Sequence, residues 1–344
     1  MIEKILKRIK KVWRRTPLGR VKKDYNPIRW GIVGLGYMAE TFSCAIDGNK
    51  QGVVYAVASR SLEKAKLFAR NHGGCKAYGS YEEMVNDDSL NLDVIYIATP
   101  VKYHYEHVKL CLNAGINVLC EKPITSNKEQ LEELIQLAKE KNCFFMEGMW
   151  MKCLPPFQRA CQWIAEGKIG SLEWIKVDFY KREHIREGHA IYDAAEGGGV
   201  LRDFGVYAIS FMEHFLGGIP EKISSSKRIS SHGIDSDWQI EAEKSGVRAV
   251  VNLSSNFGSL SKAAVIGRNG FIEWNSQFNR TNSIALYDSK GVLVDTFTTK
   301  YEFEGFEHAV HEVQKCIRDG LKKSSIVSIE STQNTMKIID SLLL

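Results

Sequence analysis

The chain lacks the marks of several protein classes. Its eight cysteines, at 44, 75, 111, 120, 143, 153, 161 and 316, form no C-x-x-C pair and no metal-finger spacing. That excludes a zinc ribbon or finger and suits scattered thiols in a reducing compartment. No apolar run approaches the ~18 residues of a membrane-spanning helix. Seven prolines in 344 residues, with no low-complexity tract and no internal repeat, exclude a linker-dominated chain or a solenoid. An excess of positive charge is also missing outside one segment. The formal net charge is +5, but residues 1–23 hold ten Lys or Arg against Glu3 alone, a local +9 that leaves −4 for the rest. That balance gives no ground for a specific nucleic-acid partner. What is present is an ordinary globular composition, 44% hydrophobic and 25% charged. The chain exceeds the ~250 to 300 residues at which single cores stop growing, so two domains are expected.

The basic segment has a pattern of its own. Ile2, Ile5, Leu6, Ile9 and Trp13 recur at helical spacing, and Lys or Arg fills most positions between them up to Pro17. This is a basic amphipathic helix in an arm spanning residues 1–27, with no secretory cleavage pattern behind it. It fits peripheral contact with an anionic membrane through residues 1–23, docking on a partner, or a frayed tail. The expected location is cytoplasmic, with that membrane contact as an option.

From Ile28 the periodicity changes. Arg29 to Val33 reads as a short buried strand, followed at once by Gly34-Leu35-Gly36-Tyr37-Met38-Ala39 and a helical stretch through Ile46. Glycines at 34 and 36 permit a tight turn and close approach to a pyrophosphate, Met38 borders the turn, and Ala39 lets helix pack on strand. Further βα units follow: strands at Val53–Ala58, Leu92–Ala98, Asn117–Cys120 and Cys143–Met146, with helix starts at Ser61, Ser80 and Ser126. Residues 28–149 are therefore expected to form a doubly wound parallel sheet of the Rossmann type, binding a nicotinamide dinucleotide. The second strand ends in Ser59-Arg60-Ser61, with Lys64 a turn later. A carboxylate there would hold the ribose hydroxyls of NAD(H), whereas these cations suit a 2′-phosphate, so NADP(H) is favoured over NAD(H).

Two later blocks are more specific. Cys120-Glu121-Lys122-Pro123 ends a parallel strand, and Gly197-Gly198-Gly199-Val200-Leu201-Arg202-Asp203-Phe204-Gly205-Val206-Tyr207 opens a helix predicted over Val200–Leu216. On one helix face Asp203 and Tyr207, four apart, are neighbours. With these blocks, the chain resembles the glucose–fructose oxidoreductase and inositol dehydrogenase family (Gfo/Idh/MocA), nearest its dihydrodiol, xylose and glucose–fructose enzymes. The resemblance implies that Tyr207 is the acid/base for the alcohol exchanging hydride, with Lys122 lowering its pKa and holding the substrate oxygen, while Asp203 orients a hydroxyl. It further implies cofactor contacts at Ser59, Arg60, Lys64, Tyr78, Thr99, Pro100, His104, Glu121 and Lys122, and no metal. Arg202, where the family has an apolar residue, and the stretch from His184 to Tyr192 depart from the pattern. Both departures bear on which sugar, polyol or diol is the substrate.

Residues 150–344 read as an α+β domain with an open, largely antiparallel sheet. Strands are expected at Leu172–Tyr180, Trp238–Glu243, Arg248–Phe257, Ala263–Gly267, Phe271–Trp274, Ile284–Tyr287 and Val292–Phe297, and helices from Phe306 onward. An open sheet needs its second face covered, and a homodimer or higher homo-oligomer is expected to do so. Two other readings carry the same fold: a catalytically silent dinucleotide-binding regulator or scaffold, and a redox-assisted lyase or glycosidase. Intact Lys122, Asp203 and Tyr207 favour the oxidoreductase.

Overall fold

The computed structural model describes residues 26–182, 198–259, 261–275 and 277–344. The basic arm up to residue 25 and the divergent stretch 184–192 lie outside the described residues. Among the described residues no helix is long and apolar enough to cross a membrane.

The first sheet contains β1 (Ile28–Val33), β2 (Gly52–Ala58), β3 (Lys76–Tyr78), β4 (Val94–Ile97), β5 (Asn117–Cys120) and β6 (Phe145–Glu147), all parallel, in the order β3-β2-β1-β4-β5-β6. Its crossovers are α1 (Tyr37–Gly48), α2 (Leu62–Asn71), α3 (Tyr81–Val85), α4 (His104–Asn113) and α5 (Lys128–Glu140). Strand order reverses between β1 and β4, which opens a crevice at the carboxyl ends of the strands. All four residues of β4 are buried, as a sheet covered on both faces requires.

The helix starts follow cap chemistry. Ser61 and Ser80 accept from the backbone N–H groups of Lys64 and Glu83, each at 3.3 Å, bonds worth about 1 kcal/mol each. The start assigned to Ser126 falls one residue later: Asn127 accepts from Gln130 N at 2.9 Å, and Gln130 Oε1 in turn accepts from Ser126 N at 3.2 Å. Asparagine caps as well as serine, so the pair had two candidate positions. The strand expected at 92–98 is trimmed to Val94–Ile97, the one expected at 143–146 is shifted to Phe145–Glu147, and β3 was not anticipated.

The second sheet has eight strands: β7 (Leu172–Tyr180), β8 (Lys222–Ile229), β9 (Asp235–Lys244), β10 (Val247–Ser254), β11 (Ala263–Gly267), β12 (Gly270–Trp274), β13 (Ser283–Asp288) and β14 (Leu293–Thr298). Their order is β14-β13-β12-β11-β7-β10-β9-β8, antiparallel throughout except where β7 meets β10. The edge strand β8 is new relative to the sequence reading. Its residues are exposed along the whole length, so no hydrophobic alternation announces it.

One face of this sheet is covered by α7 (Val206–Leu216), beside α6 (Pro155–Ala165). Phe211 of α7 meets Trp274 edge-on at 4.9 Å and Phe278 at 5.6 Å, and full burial of such a ring contributes ~1.5–3 kcal/mol. The last helices, α8 (Phe306–Arg318) and α9 (Ile329–Leu343), return toward the first domain. α8 packs on α1, and α9 packs on both α5 and α7. Asp340 of α9 accepts from Lys128 N at 2.9 Å at the start of α5.

Candidate active site

The loop after β1 is pressed against the loop after β4. Gly34 has φ +86°, and a Cβ there would lie 2.6 Å from Thr99 Cγ2 and 2.8 Å from Thr99 N. Only glycine combines that backbone with that contact. At Gly36, the residue before α1, a Cβ would meet nothing within 4 Å, and no side chain caps the helix. The N-terminus of α1 is therefore left without a side-chain cap, while fully buried Ala39 keeps the helix close to the sheet. A pyrophosphate fits this cradle by charge and by shape. A nicotinamide dinucleotide is the group that the residues present suit.

The adenosine-side candidates form a second cluster. Ser59 is buried, and its hydroxyl accepts from Ser61 N at 3.3 Å. Arg60 lies 5.9 Å over the Tyr103 ring, and Lys64 is exposed on the first turn of α2. Tyr78, paired with Ala58 across β2 and β3, donates its hydroxyl to Asp87 Oδ2 at 2.5 Å. These four do not line the main cavity, whereas Met38, Thr99, Pro100, His104, Glu121, Lys122, Asp203 and Tyr207 do.

That cavity, about 540 Å³, lies between the domains. Lys122 enters it from the end of β5 across a cis Lys122–Pro123 bond. Its Nζ donates to the backbone carbonyl of Asp203, stands 3.8 Å from Asp203 Oδ1 and lies 5.1 Å from the centroid of the Tyr207 ring. Tyr207 accepts a hydrogen bond from Trp150 Nε1 at 2.9 Å. The two groups thus face one space.

The helix that carries Asp203 departs from the expected regularity. Leu201–Gly205 form a π-helical turn before α7 begins, a feature common at functional sites. Gly199, at φ +118°, comes so close to Asp235 that a Cβ would sit 2.0 Å from its Oδ1. Asp235 Oδ2 in turn accepts from Leu201 N at 2.8 Å and Trp238 Nε1 at 2.6 Å. The glycine run therefore lets a buried carboxylate anchor the start of the helix that carries Asp203 and Tyr207.

Electrostatics corrects one expectation. Lys122 does not bring the Tyr207 phenol down: burial, then the Glu121 carboxylate, hold it well above 10. The ammonium gives one of its three N–H groups to the Asp203 carbonyl and lies beside the ring, while carboxylates at 121 and 203 oppose a phenolate. Burial likewise raises the Glu121 carboxyl, whose Oε1 accepts from the Tyr96 hydroxyl and Oε2 from Lys122 N at 3.2 Å. His104 is enclosed, with Nδ1 2.8 Å from the Pro123 carbonyl and Nε2 2.7 Å from that of Thr99. Burial lowers it to about 4. It ties the loops after β4 and β5 together.

Sequence reasoning missed Trp150, although it follows β6 on the same strand-end edge as Lys122. It also missed the far wall, where Arg280 pairs with Glu304 at 2.9 Å. Arg202, the departure from pattern, lines the cavity and donates to the Ser126 carbonyl at 3.3 Å, bridging the domains.

The fold and this site define a dinucleotide-dependent oxidoreductase. Residues 28–149 match the model of the oxidoreductase family with the NAD-binding Rossmann fold, and residues 157–273 match the GFO/IDH/MocA C-terminal domain. The chain belongs to the Gfo/Idh/MocA oxidoreductase family. Trans-1,2-dihydrobenzene-1,2-diol dehydrogenase from Xenopus tropicalis is 32% identical, covering 92% of this chain and 97% of the relative; the Homo sapiens protein of that name is 31% identical, at 92% and 96%. Among solved structures, a levoglucosan dehydrogenase with NADH and levoglucosan superposes with TM-score 0.84 at 18% identity, covering 92% of this chain and 96% of that one. A 3-ketoreductase from Actinomadura kijaniata with NADP superposes with TM-score 0.81 at 24% identity, covering 92% and 97%. The predicted fold class and family are borne out.

Proposed function

We propose that this chain transfers hydride between a nicotinamide dinucleotide and a secondary alcohol or ketone of a small diol, sugar or polyol. Tyr207 is its acid/base, and Lys122 and Asp203 assist. The observation that carries the proposal is the convergence of these three residues, from two domains, on one cavity. The names of the diol and levoglucosan dehydrogenases support the substrate class.

When bound, the nicotinamide takes up or supplies the hydride. Because the Tyr207 oxygen already accepts from Trp150, its own proton is left to point at a substrate oxygen. Burial keeps that phenol neutral, the form that ketone reduction needs for donation to the developing alkoxide. In the oxidation direction the phenol must first lose its proton to solvent, against burial and the Glu121 charge, before the phenolate takes the alcohol proton. The Lys122 ammonium beside the ring offsets only part of that opposition. Asp203 accepts from a neighbouring substrate hydroxyl and fixes the face presented.

NADP(H) is favoured over NAD(H). The support is Ser59 in place of a carboxylate at the end of β2, with the exposed cations Arg60 and Lys64 beside it. A homodimer completes the proposal. On the face of the second sheet that no described element covers, the strand registers place Arg248, Trp174, Ile266, Phe271 and Tyr287 in one row across five strands. A second copy would bury that row.

Tyr207→Phe tests the mechanism. It should lower kcat by ~10²–10⁴ and leave dinucleotide affinity, measured by fluorescence titration, unchanged. Full activity in this variant would remove the assigned role.

A further inference from the structure

Away from the cavity, α1 and α2 bring together groups that the hydride chemistry does not use. Glu40, Cys44 and Asp47 occupy one face of α1, and His72 follows the last turn of α2. One ligand atom each from Glu40, Cys44 and His72 lie within 4.8 Å of one another. His72 is 4% exposed; its Nε2 makes no bond of hydrogen-bond geometry and faces Glu40 Oε2 at 3.5 Å, while Glu40 Oε1 is buried without a hydrogen-bond partner. The other ring nitrogen is fixed: Nδ1 is 2.7 Å from Asp47 Oδ2, and Asp47 Oδ1 accepts from Val54 N at 3.4 Å. Phe68 stacks on the imidazole at 4.5 Å.

We propose that Glu40, Cys44 and His72 form a transition-metal site, suited to zinc, with Asp47 orienting the histidine and a fourth position left for water. The donor set decides the metal. Calcium and magnesium take oxygen ligands, whereas thiolate with imidazole selects zinc and its neighbours. A carboxylate on the distal ring nitrogen is the usual partner of a metal-bound histidine.

The distances allow it. Tetrahedral bonds of ~2.0 Å to nitrogen or oxygen and ~2.3 Å to sulfur give ligand separations of about 3.3–3.6 Å. Glu40 Oε2 and His72 Nε2 are already 3.5 Å apart. The thiol must close by ~1 Å at most to complete such a set.

Without metal, the cluster has a simpler occupant. Burial disfavours a charged imidazole, but Asp47 and Glu40 together raise His72 to about 9, so a proton bridges the carboxylates. That leaves Cys44 unused, its thiol pushed up to about 12 by burial and both acids. A divalent ion would displace both protons and staple α1, whose first turn carries Glu40 beside the pyrophosphate cradle, to α2.

The test uses the full, untagged chain stripped with a chelator and titrated with Co²⁺, then Zn²⁺. One equivalent of Co²⁺ should bind with a thiolate charge-transfer band that Zn²⁺ removes, and Zn²⁺ should raise the melting temperature. Cys44→Ala should abolish the band and the Zn²⁺-dependent shift while melting like the stripped parent without metal. Cys75→Ala should keep both. Asp47→Asn should weaken Zn²⁺ binding 10–100-fold. Absence of a stoichiometric Co²⁺ band in the parent, or its survival in Cys44→Ala, would overturn the site and leave the proton-bridged cluster.

Discussion

The six-stranded sheet is covered on both faces; the eight-stranded sheet, among the described residues, is covered on one. In the first, β4 is buried at every residue, and the candidate site lies at the carboxyl ends of the strands, where Gly34 presses on Thr99 and where Thr99 and Lys122 line the cavity. In the second, β7 alternates between buried and partly exposed positions, and the helix laid on its covered face carries the proposed acid/base, Tyr207. A doubly covered sheet has only its edges and ends for ligands. A singly covered one can bring a catalytic helix on one side and a partner on the other.

Five substitutions probe that contrast. The largest effect belongs to Gly34→Ala, where positive φ and the 2.6 Å approach to Thr99 coincide. Strain of ~3 kcal/mol corresponds to about a 100-fold loss of dinucleotide affinity, and an unchanged Kd by calorimetry would show that the strand-end loop is not the cradle.

Next comes the seam between the domains. Buried Glu147 accepts from Ile124 N and the Thr332 hydroxyl, each at 3.2 Å. Burial raises it to about 7 against the pull of Lys152. The folded state therefore binds this proton more tightly than the unfolded chain, whose carboxyl titrates near 4.5. The resulting stability is full below that value and is lost as pH rises to about 7. Glu147→Gln should flatten this slope and gain ~2 kcal/mol at pH 8, read from urea unfolding at pH 5 and 8. Parallel curves for parent and variant would refute it.

Trp174→Glu acts on the open face. Placing a charge in the middle of the aromatic row should weaken association by ~2 kcal/mol or more, seen as a shift to monomer in sedimentation, with monomer melting little changed. A parent that is already monomeric at all concentrations removes the dimer. The smallest effect is at a cap of the covered sheet: Ser80→Ala should cost ~1 kcal/mol, whereas Ser225→Ala on the exposed edge strand β8 should stay within ~0.5 kcal/mol. Equal costs would blur the contrast.

Legibility in the sequence followed burial. Strands flanked by helices on both sides appear as apolar runs, so β1, β2, β4 and β5 were readable to within two residues at either end. β8 was invisible because backbone pairing to β9 alone defines it, with no buried side chains to leave a period. Lys122 and Tyr207 were legible through local motifs. Trp150 was not, because its relevance is a contact spanning 57 positions. The Tyr207 titration failed for a related reason: neighbouring charge was read from motifs, whereas burial, the dominant influence, is set by packing between domains. The Glu40–His72 cluster likewise joins residues from separate helices.

The return of α8 and α9 onto the first domain has a bearing on biosynthesis. The nucleotide-binding half is translated before α8 and α9, yet its outer surface over α1 and α5 is completed by them. While the polypeptide emerges from the ribosome, that apolar surface must wait for its cover, so the early half persists as an incomplete intermediate until the carboxyl-terminal helices arrive.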